Sequence, residues 1–429
     1  MRANLNGCRF VIAGLSILIF CGAGLPVWAV ETTVKGQGDC LAAPADQTID
    51  ETAFTADALE KTEKQPAENP LARLAALRRT DTNVYFPIIA LGAVIDAYNE
   101  THKATYREQN VRGDAAAQTA IMAWLAKELD LQIVYPFMDL TVEPQAVAAA
   151  NGFGDVLTVI EYDDATPEYS VKPFIDPAAD PATFVVPDPA QDVFMRQQLD
   201  FIRRARGNTA LSGKAIMAWV IGPVTLVGRM IGEEEMAVRS VLEPEQFGLL
   251  LDYATRVIQR YVDALGDAGA DAVCLLEPET ILTNPAGFEE YAVPRINQIA
   301  QDIRARKMIS IFHACGDTHM YFPAFASIAM DGFSLDRDIA LSDFAALRPD
   351  AVMIGNYDNT VISREDTKTI VENSRSLLGR LSLIEEQGKC IPGTGCEIKT
   401  PVTIEQLRAL EHGLKPVTVA MTNEHATSA

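Results

Sequence analysis

The stretch IFHACGDTHM, residues 311–320, sets a histidine and a cysteine two positions apart in a chain that holds only five His and seven Cys. In a strand, residues i and i+2 point the same way, so His313 and Cys315 project from one face at the end of the apolar run KMISIFHA. Gly316 then lets the chain turn. An imidazole nitrogen beside a thiolate suits Zn2+, a borderline-soft ion. A catalytic zinc needs three protein ligands. The third candidate is Cys396, in CIPGTGCEI near the end of the chain. Two glycines there permit a close backbone approach, and the segment reads as a glycine-rich loop. Cys390, six residues earlier, is a rival ligand. Cys274, inside DAVCLLE, reads as a buried small hydrophobe, and His319 reads as a loop residue.

Carboxylates stand near the same positions. Glu277 ends the strand-like run ADAVCLLE, on the same side of the alternation as Val273 and Leu275. Glu143 and Gln145 lie in DLTVEPQ, and Asp336 lies in SLDRD, where Arg337 offers an ion-pair partner.

The elements that must position these residues show as alternating strand-like and helix-like runs. Strand candidates are 131–137, 214–222, 270–277, 307–314, 331–335, 350–356 and 415–423. Residues 245–269 form a long amphipathic helix that stops at glycine. Residues 288–307 form another, with basic residues in its last turn where the dipole favours them. Such alternation over most of the chain predicts a mostly parallel sheet covered by helices. No G-x-G-x-x-G follows the first strand, so a dinucleotide fold has little support. The expectation is an α/β, (β/α)8 TIM-type barrel over residues 71–423, with a tail at 424–429. At the carboxyl end of a barrel strand, His313 and Cys315 would face the mouth. The Pro- and Asp-rich excursion at 160–200 would shape its entrance.

The first 30 residues read as a signal peptide, with Arg2 and Arg9, then an almost wholly apolar Phe10–Val30 and small residues before a cleavage point. The alternative is a membrane anchor. Residues 31–70, rich in Ala, Thr, Asp, Glu and Pro, read as a disordered linker. The chain is therefore expected to be exported or periplasmic, or anchored, and cytoplasmic only if its start is misassigned. The formal net charge is −22, which speaks against nucleic acid as a partner. Five cysteines spread beyond the leader do not read as a disulfide framework.

Four stretches resemble the uroporphyrinogen decarboxylase superfamily, in its methylcobamide:coenzyme M methyltransferase-like branch. DLTVEPQAVAAANG (139–152) is similar to that branch's T-V-E segment. VIGPVTLVGRMIG (220–232) is similar to the G-P-x-T-L stretch. FHACGDT (312–318) resembles the H-x-C-G zinc motif, and GTGCEIKTPVTIEQLRAL (393–410) resembles the segment that supplies the second thiolate. They come in the expected order. The resemblance implies the barrel, a zinc ion on His313, Cys315 and Cys396, and methyl transfer from a methylated corrinoid to a small thiol. The donor would be a corrinoid protein or free methylcorrinoid. Glu143 and Glu277 would be catalytic, as fourth ligand or proton acceptor, with Gln145 and Asp336 in the substrate pocket. The arginine-rich R-Q-A-G-R motif of true decarboxylases is missing, which speaks against a uroporphyrinogen decarboxylase-type reaction. Export would favour a second reading, a binding protein for a corrinoid, tetrapyrrole or thiol compound.

Overall fold

The structure is a computed structural model, and it describes residues 8–13, 16–21, 84–161, 166–387 and 389–415. Two compact units divide the chain, Met1–Ala67 and Glu68–Ala429.

In the first unit, β1 (Cys8–Ala13) and β2 (Ser16–Cys21) pair as an antiparallel hairpin. This corrects the leader expectation: an apolar strand pair stands where a signal or anchor helix was expected. Among the described residues no helix is long and apolar enough to cross a membrane. The expectation of export, periplasmic location or anchoring rested on that leader reading and is corrected with it. The linker at 31–70, the strand candidate beyond 415 and the tail lie outside the described residues.

The second unit is built on parallel strands. Its elements are β3 (Phe86–Ile89), β4 (Ile133–Val134), an antiparallel hairpin β5 (Leu157–Ile160) and β6 (Glu168–Val171), β7 (Ala215–Ile221), β8 (Ala272–Leu276), β9 (Ile309–Ala314), β10 (Gly332–Leu335), β11 (Val352–Ile354), β12 (Cys390–Ile391) and β13 (Gly393–Ile398). Seven form one sheet in the order β12-β11-β10-β9-β8-β7-β4, and β13 pairs separately with β3. Every ladder of the seven is parallel. Runs such as AIMAWVI in β7 and AVCLL in β8 are apolar at nearly every position because parallel strands are covered on both faces. The helix Pro244–Ala268 packs against this sheet and ends at Gly269, whose φ of 100° only glycine adopts freely. The helix expected from residue 288 begins with a π-helical turn, Phe288–Ala292, before Val293–Ala305.

The closed (β/α)8 TIM-type barrel is corrected to a curled, open half-barrel. Among the described residues no ladder joins β3 to β4. The sequence supplies a reason. Along β3 and just beyond it, the amides of Phe86, Ile88 and Ala90 are spent towards β13. The alternate positions, 87 and 89, face the other edge, and Pro87 has no N–H to offer there. Pro136 likewise stops β4 after two paired residues.

Candidate metal centre

The metal candidates converge at the carboxyl ends of the strands. In register, His313 of β9 lies between Leu276 of β8 and Ser334 of β10. His313 is buried, and its Nδ1 lies 3.0 Å from Ser334 Oγ, which leaves Nε2 facing outward from that contact. Cys315 Sγ is 3.0 Å from Nε2, Cys396 Sγ is 2.9 Å from Cys315 Sγ, and Cys396 Sγ is 3.8 Å from Nε2. All three donor atoms lie within 4.8 Å of one another. Neither sulfur is in a disulfide. Two free thiols and one imidazole held this close, 81 residues or more apart for the long-range pairs, fit a tetrahedral N/S ion such as Zn2+ with a fourth position open. Contact with Cys315, then with the imidazole of His313, holds Cys396 below the usual thiol range, while the contact with Cys396 and burial push Cys315 up.

Local sequence explains the approach. Cys396 lies on a strand rather than on the expected loop. A Cβ on Gly395 would come within 2.4 Å of the Arg337 backbone nitrogen, and one on Gly393 within 2.0 Å of the Phe86 carbonyl oxygen. Only glycines let β13 lie this near. Across the site, Asp336 accepts from the Gly316 N–H at 2.7 Å and so fixes the turn after Cys315. Its contact with Arg337 Nη1 is longer, at 4.0 Å. Cys390, the rival ligand, is buried on β12 and is not in the cluster.

The carboxylates are distributed differently from the expected fourth-ligand role, since none joins the three-donor group. Glu277 is buried, and its carboxylate accepts from Val224 N and Thr225 N at 2.9 Å and from Thr225 Oγ1 at 2.8 Å. It therefore sits on the N-terminus of the helix Pro223–Ile231, a natural anion position. Gly222 makes room for it: a Cβ there would fall 2.2 Å from the carboxylate. Burial pushes Glu277 up to about 7, against the pull of those donors. Glu143, in the helix Val142–Ala150, is buried and accepts from Ile221 N at 3.0 Å. Ile221 pairs with Leu276, which pairs with His313, so Glu143 stands two strands from the cluster. Burial raises it to about 8. Gln145 donates to the Thr141 carbonyl and hydroxyl and lines a cavity of about 440 Å3 with Phe194 and Val156, not the one beside β13.

Sequence reasoning did not single out Ser334, Glu397 or Glu108. Ser334 was within reach of alternation: it lies two residues before Asp336, a lone polar residue in an apolar strand. Glu397 follows Cys396 directly, is 8% exposed, and is pushed up to about 8 by burial. With Glu108 it lines a cavity of about 70 Å3.

A half-barrel with two free thiols and an imidazole gathered at its carboxyl face defines an α/β fold that carries a candidate metal site. The uroporphyrinogen decarboxylase (URO-D) family model matches residues 70–414, and the chain belongs to that family. Methylcobamide:CoM methyltransferase MtaA of Methanosarcina barkeri is 23% identical over 201 residues, 46% of this chain and 56% of that one. A methylated-thiol–coenzyme M methyltransferase of Methanosarcina mazei is 25% identical over 47% of this chain and 53% of that one. The chain thus spans about half the length of these curated relatives. Uroporphyrinogen decarboxylase of Trichlorobacter lovleyi is 25% identical over 55% of this chain and 74% of that one. A solved methyltransferase from Methanosarcina mazei superposes with a TM-score of 0.66 at 18% identity, over 81% of this chain and 98% of that one. The fold is therefore a URO-D fold related to that of the methylcobamide:CoM methyltransferases.

Proposed function

We propose that this chain is an enzyme that moves a methyl group from a methylated corrinoid to a small thiol, at a zinc ion held by His313, Cys315 and Cys396. The observation that carries the reading is the meeting of three soft donor atoms within 4.8 Å. The methyltransferase names of the relatives support the reaction class. In balance, R–SH and CH3–Co(III) give R–S–CH3, Co(I) and a proton; both electrons of the carbon–cobalt bond stay on cobalt. The zinc ion would supply a Lewis acid that favours the thiolate form of the acceptor.

The chain's own residues hold this arrangement. Ser334 orients the imidazole of His313, and Asp336 holds the Cys315–Gly316 turn. Gly393 and Gly395 let Cys396 reach the other two donors. Glu143, buried and bonded to Ile221 N two strands from the cluster, we assign to positioning β7 rather than to the metal. Glu277 we assign to positioning the helix Pro223–Ile231, and Gln145 to holding the Thr141 turn that precedes Glu143. A corrinoid protein or free methylcorrinoid would be the donor. A tetracarboxylate substrate is disfavoured by a lining that includes Glu108, Asp139, Glu168 and Glu397. With the leader corrected, nothing favours the exported binding protein.

Metal analysis of the purified chain, combined with a spectral titration of methylcobalamin and simple thiols, tests the proposal. About one zinc per chain is expected, with thiol-dependent loss of the methylcobalamin spectrum and loss of both in His313→Ala. A full equivalent of zinc in His313→Ala would overturn the ligand set. A zinc-loaded chain that methylates no thiol would overturn the reaction.

A further inference from the structure

The cavity of about 70 Å3 opens over the carboxyl ends of β3, β4 and β13, the same end of the strands that carries His313 and Cys315. Its charged lining comprises Glu108, Arg112, Asp139, Glu168, Glu397 and Lys399, with the ring of Tyr169 among them. Arg112 is committed. Its guanidinium lies 2.6 Å from Asp139, bonds the hydroxyl of Thr141, and stacks 4.4 Å over the ring of Tyr169. That pair cancels. Glu397 is different: it is 8% exposed, lines the cavity, and its carboxyl has no hydrogen bond or ion pair among the described residues. Glu108, half-buried, also lines the cavity without such a partner. Its position is built into the sequence, because a Cβ on Gly92 would fall 2.2 Å from Glu108 Oε2. Lys399, the other basic residue of the lining, is exposed.

A buried carboxyl left without donors is costly, on the order of 1–3 kcal/mol or more. A ligand that brings N–H donors and positive charge offsets that cost, whereas a sulfonate or carboxylate would meet two carboxyl groups. The room is that of about two water-sized groups, enough for an ammonium and a methylene. The place is right as well: Glu397 follows Cys396 in the chain, and both stand near the carboxyl end of β13.

We propose that Glu108 and Glu397 form a subsite for the protonated amino group of a small aminothiol, whose sulfur is the methyl acceptor at the adjacent His313–Cys315–Cys396 centre. This rests on the methyl-transfer reading and names the acceptor's class. Binding leaves the amine chemically unchanged; it fixes which thiol is presented.

The test uses the zinc-loaded full chain and three acceptors that share a two-carbon frame: cysteamine, 2-mercaptoethanol and 2-mercaptoethanesulfonate. Titration calorimetry gives their affinities, methylcobalamin consumption gives their turnover, and ethylamine against ethanesulfonate gives the charge preference without a thiol. Measured above about pH 8, where the carboxyls that burial raises to about 7 and about 8 are ionised, cysteamine is expected to bind about tenfold more tightly than the sulfonate, one charge-assisted hydrogen bond's worth. Glu108→Gln should shrink that gap to about threefold or less, as expected when a charged acceptor becomes a neutral one, with zinc content unchanged. Glu397→Gln is read the same way, with zinc content measured in parallel. Methylation that favours the sulfonate would overturn the subsite and leave methyl transfer standing. Ethylamine binding that Glu108→Gln weakens, with no thiol methylated, would uphold the cation subsite and overturn the methyl-transfer reading. Equal binding of ethylamine and ethanesulfonate would overturn the subsite outright.

Discussion

Ser334 Oγ lies 3.0 Å from Nδ1 of His313, on the neighbouring strand and at the paired register position. One nitrogen of the ring is thereby occupied and the other is left for the sulfurs. Ser334→Ala should cost about 10–100-fold in zinc affinity. Competition with a chromophoric chelator measures it. Thermal stability of the metal-free chain should hardly change, and Ser334→Thr, which keeps the hydroxyl, should recover much of the affinity. Unchanged affinity in Ser334→Ala would show that the hydroxyl does not steer the ring.

Gly395→Ala places a methyl group 2.4 Å from the Arg337 backbone nitrogen. Strand β13 must shift, and Cys396 shifts with it. The expected outcome is a chain that folds with a modest loss of stability, about 1–3 kcal/mol, and retains well under one zinc by elemental analysis. A fully loaded Gly395→Ala protein would mean that the close approach is not required.

Glu277→Gln separates structure from chemistry. The amide would turn N–H donors toward the N–H groups of Val224 and Thr225, so one or two of three hydrogen bonds fail. The loss should be about 1–3 kcal/mol of stability, seen in denaturant unfolding of the metal-free chain, with zinc content intact. Zinc loss with unchanged stability would instead place this carboxylate at the metal.

Glu143 gives the stability of the fold a direction with pH. Burial raises its carboxyl from 4.5 to about 8, so between those values the folded chain holds a proton that the unfolded chain has released. Stability therefore falls as pH rises through that window and levels off above it. Thermal melts at pH 5 and pH 8 should show a drop in Tm of several degrees, smaller in Glu143→Gln. The amide oxygen of the variant can still accept from Ile221 N. An identical drop in the variant would assign the dependence to other buried acids, such as Glu279, which burial raises to about 9.

Much of the sheet is legible in the sequence because long parallel strands are apolar on both faces. The runs around 215–221, 272–276 and 309–314 announce themselves for that reason. The short members do not. β12 has two residues and β13 has two glycines in six, so neither shows a strand's apolar pattern, and Cys396 reads as a loop residue. Closure is a property of hydrogen-bonding edges rather than of side-chain pattern, so the effect of Pro87 is visible only once β13 is known to use the other edge of β3. His313 and Cys315 were legible from type and spacing, while Cys390 stood as a rival to Cys396 until the family resemblance chose between them. Of the other residues, only Ser334 was within reach of alternation; Glu108 and Glu397 are ordinary residue types whose neighbours are set by tertiary pairing. Glu277 shows the converse: its place at a strand end suggested chemistry, while its bonds go to a helix terminus.

The junction between the seven-stranded sheet and the β13–β3 pair, held among the described residues by one isolated bridge from Tyr357 to Thr394, gives the cysteines a mechanical meaning. Cys315 belongs to the middle of the seven-stranded sheet, while Cys396 belongs to the pair that the sheet's own ladders do not enclose. An ion gripping both would act as a rivet across an unsewn wall, bracing the last strand against fraying. Stripping it should then show first as faster amide exchange and proteolytic nicking around residues 390–400, before any loss elsewhere in the sheet.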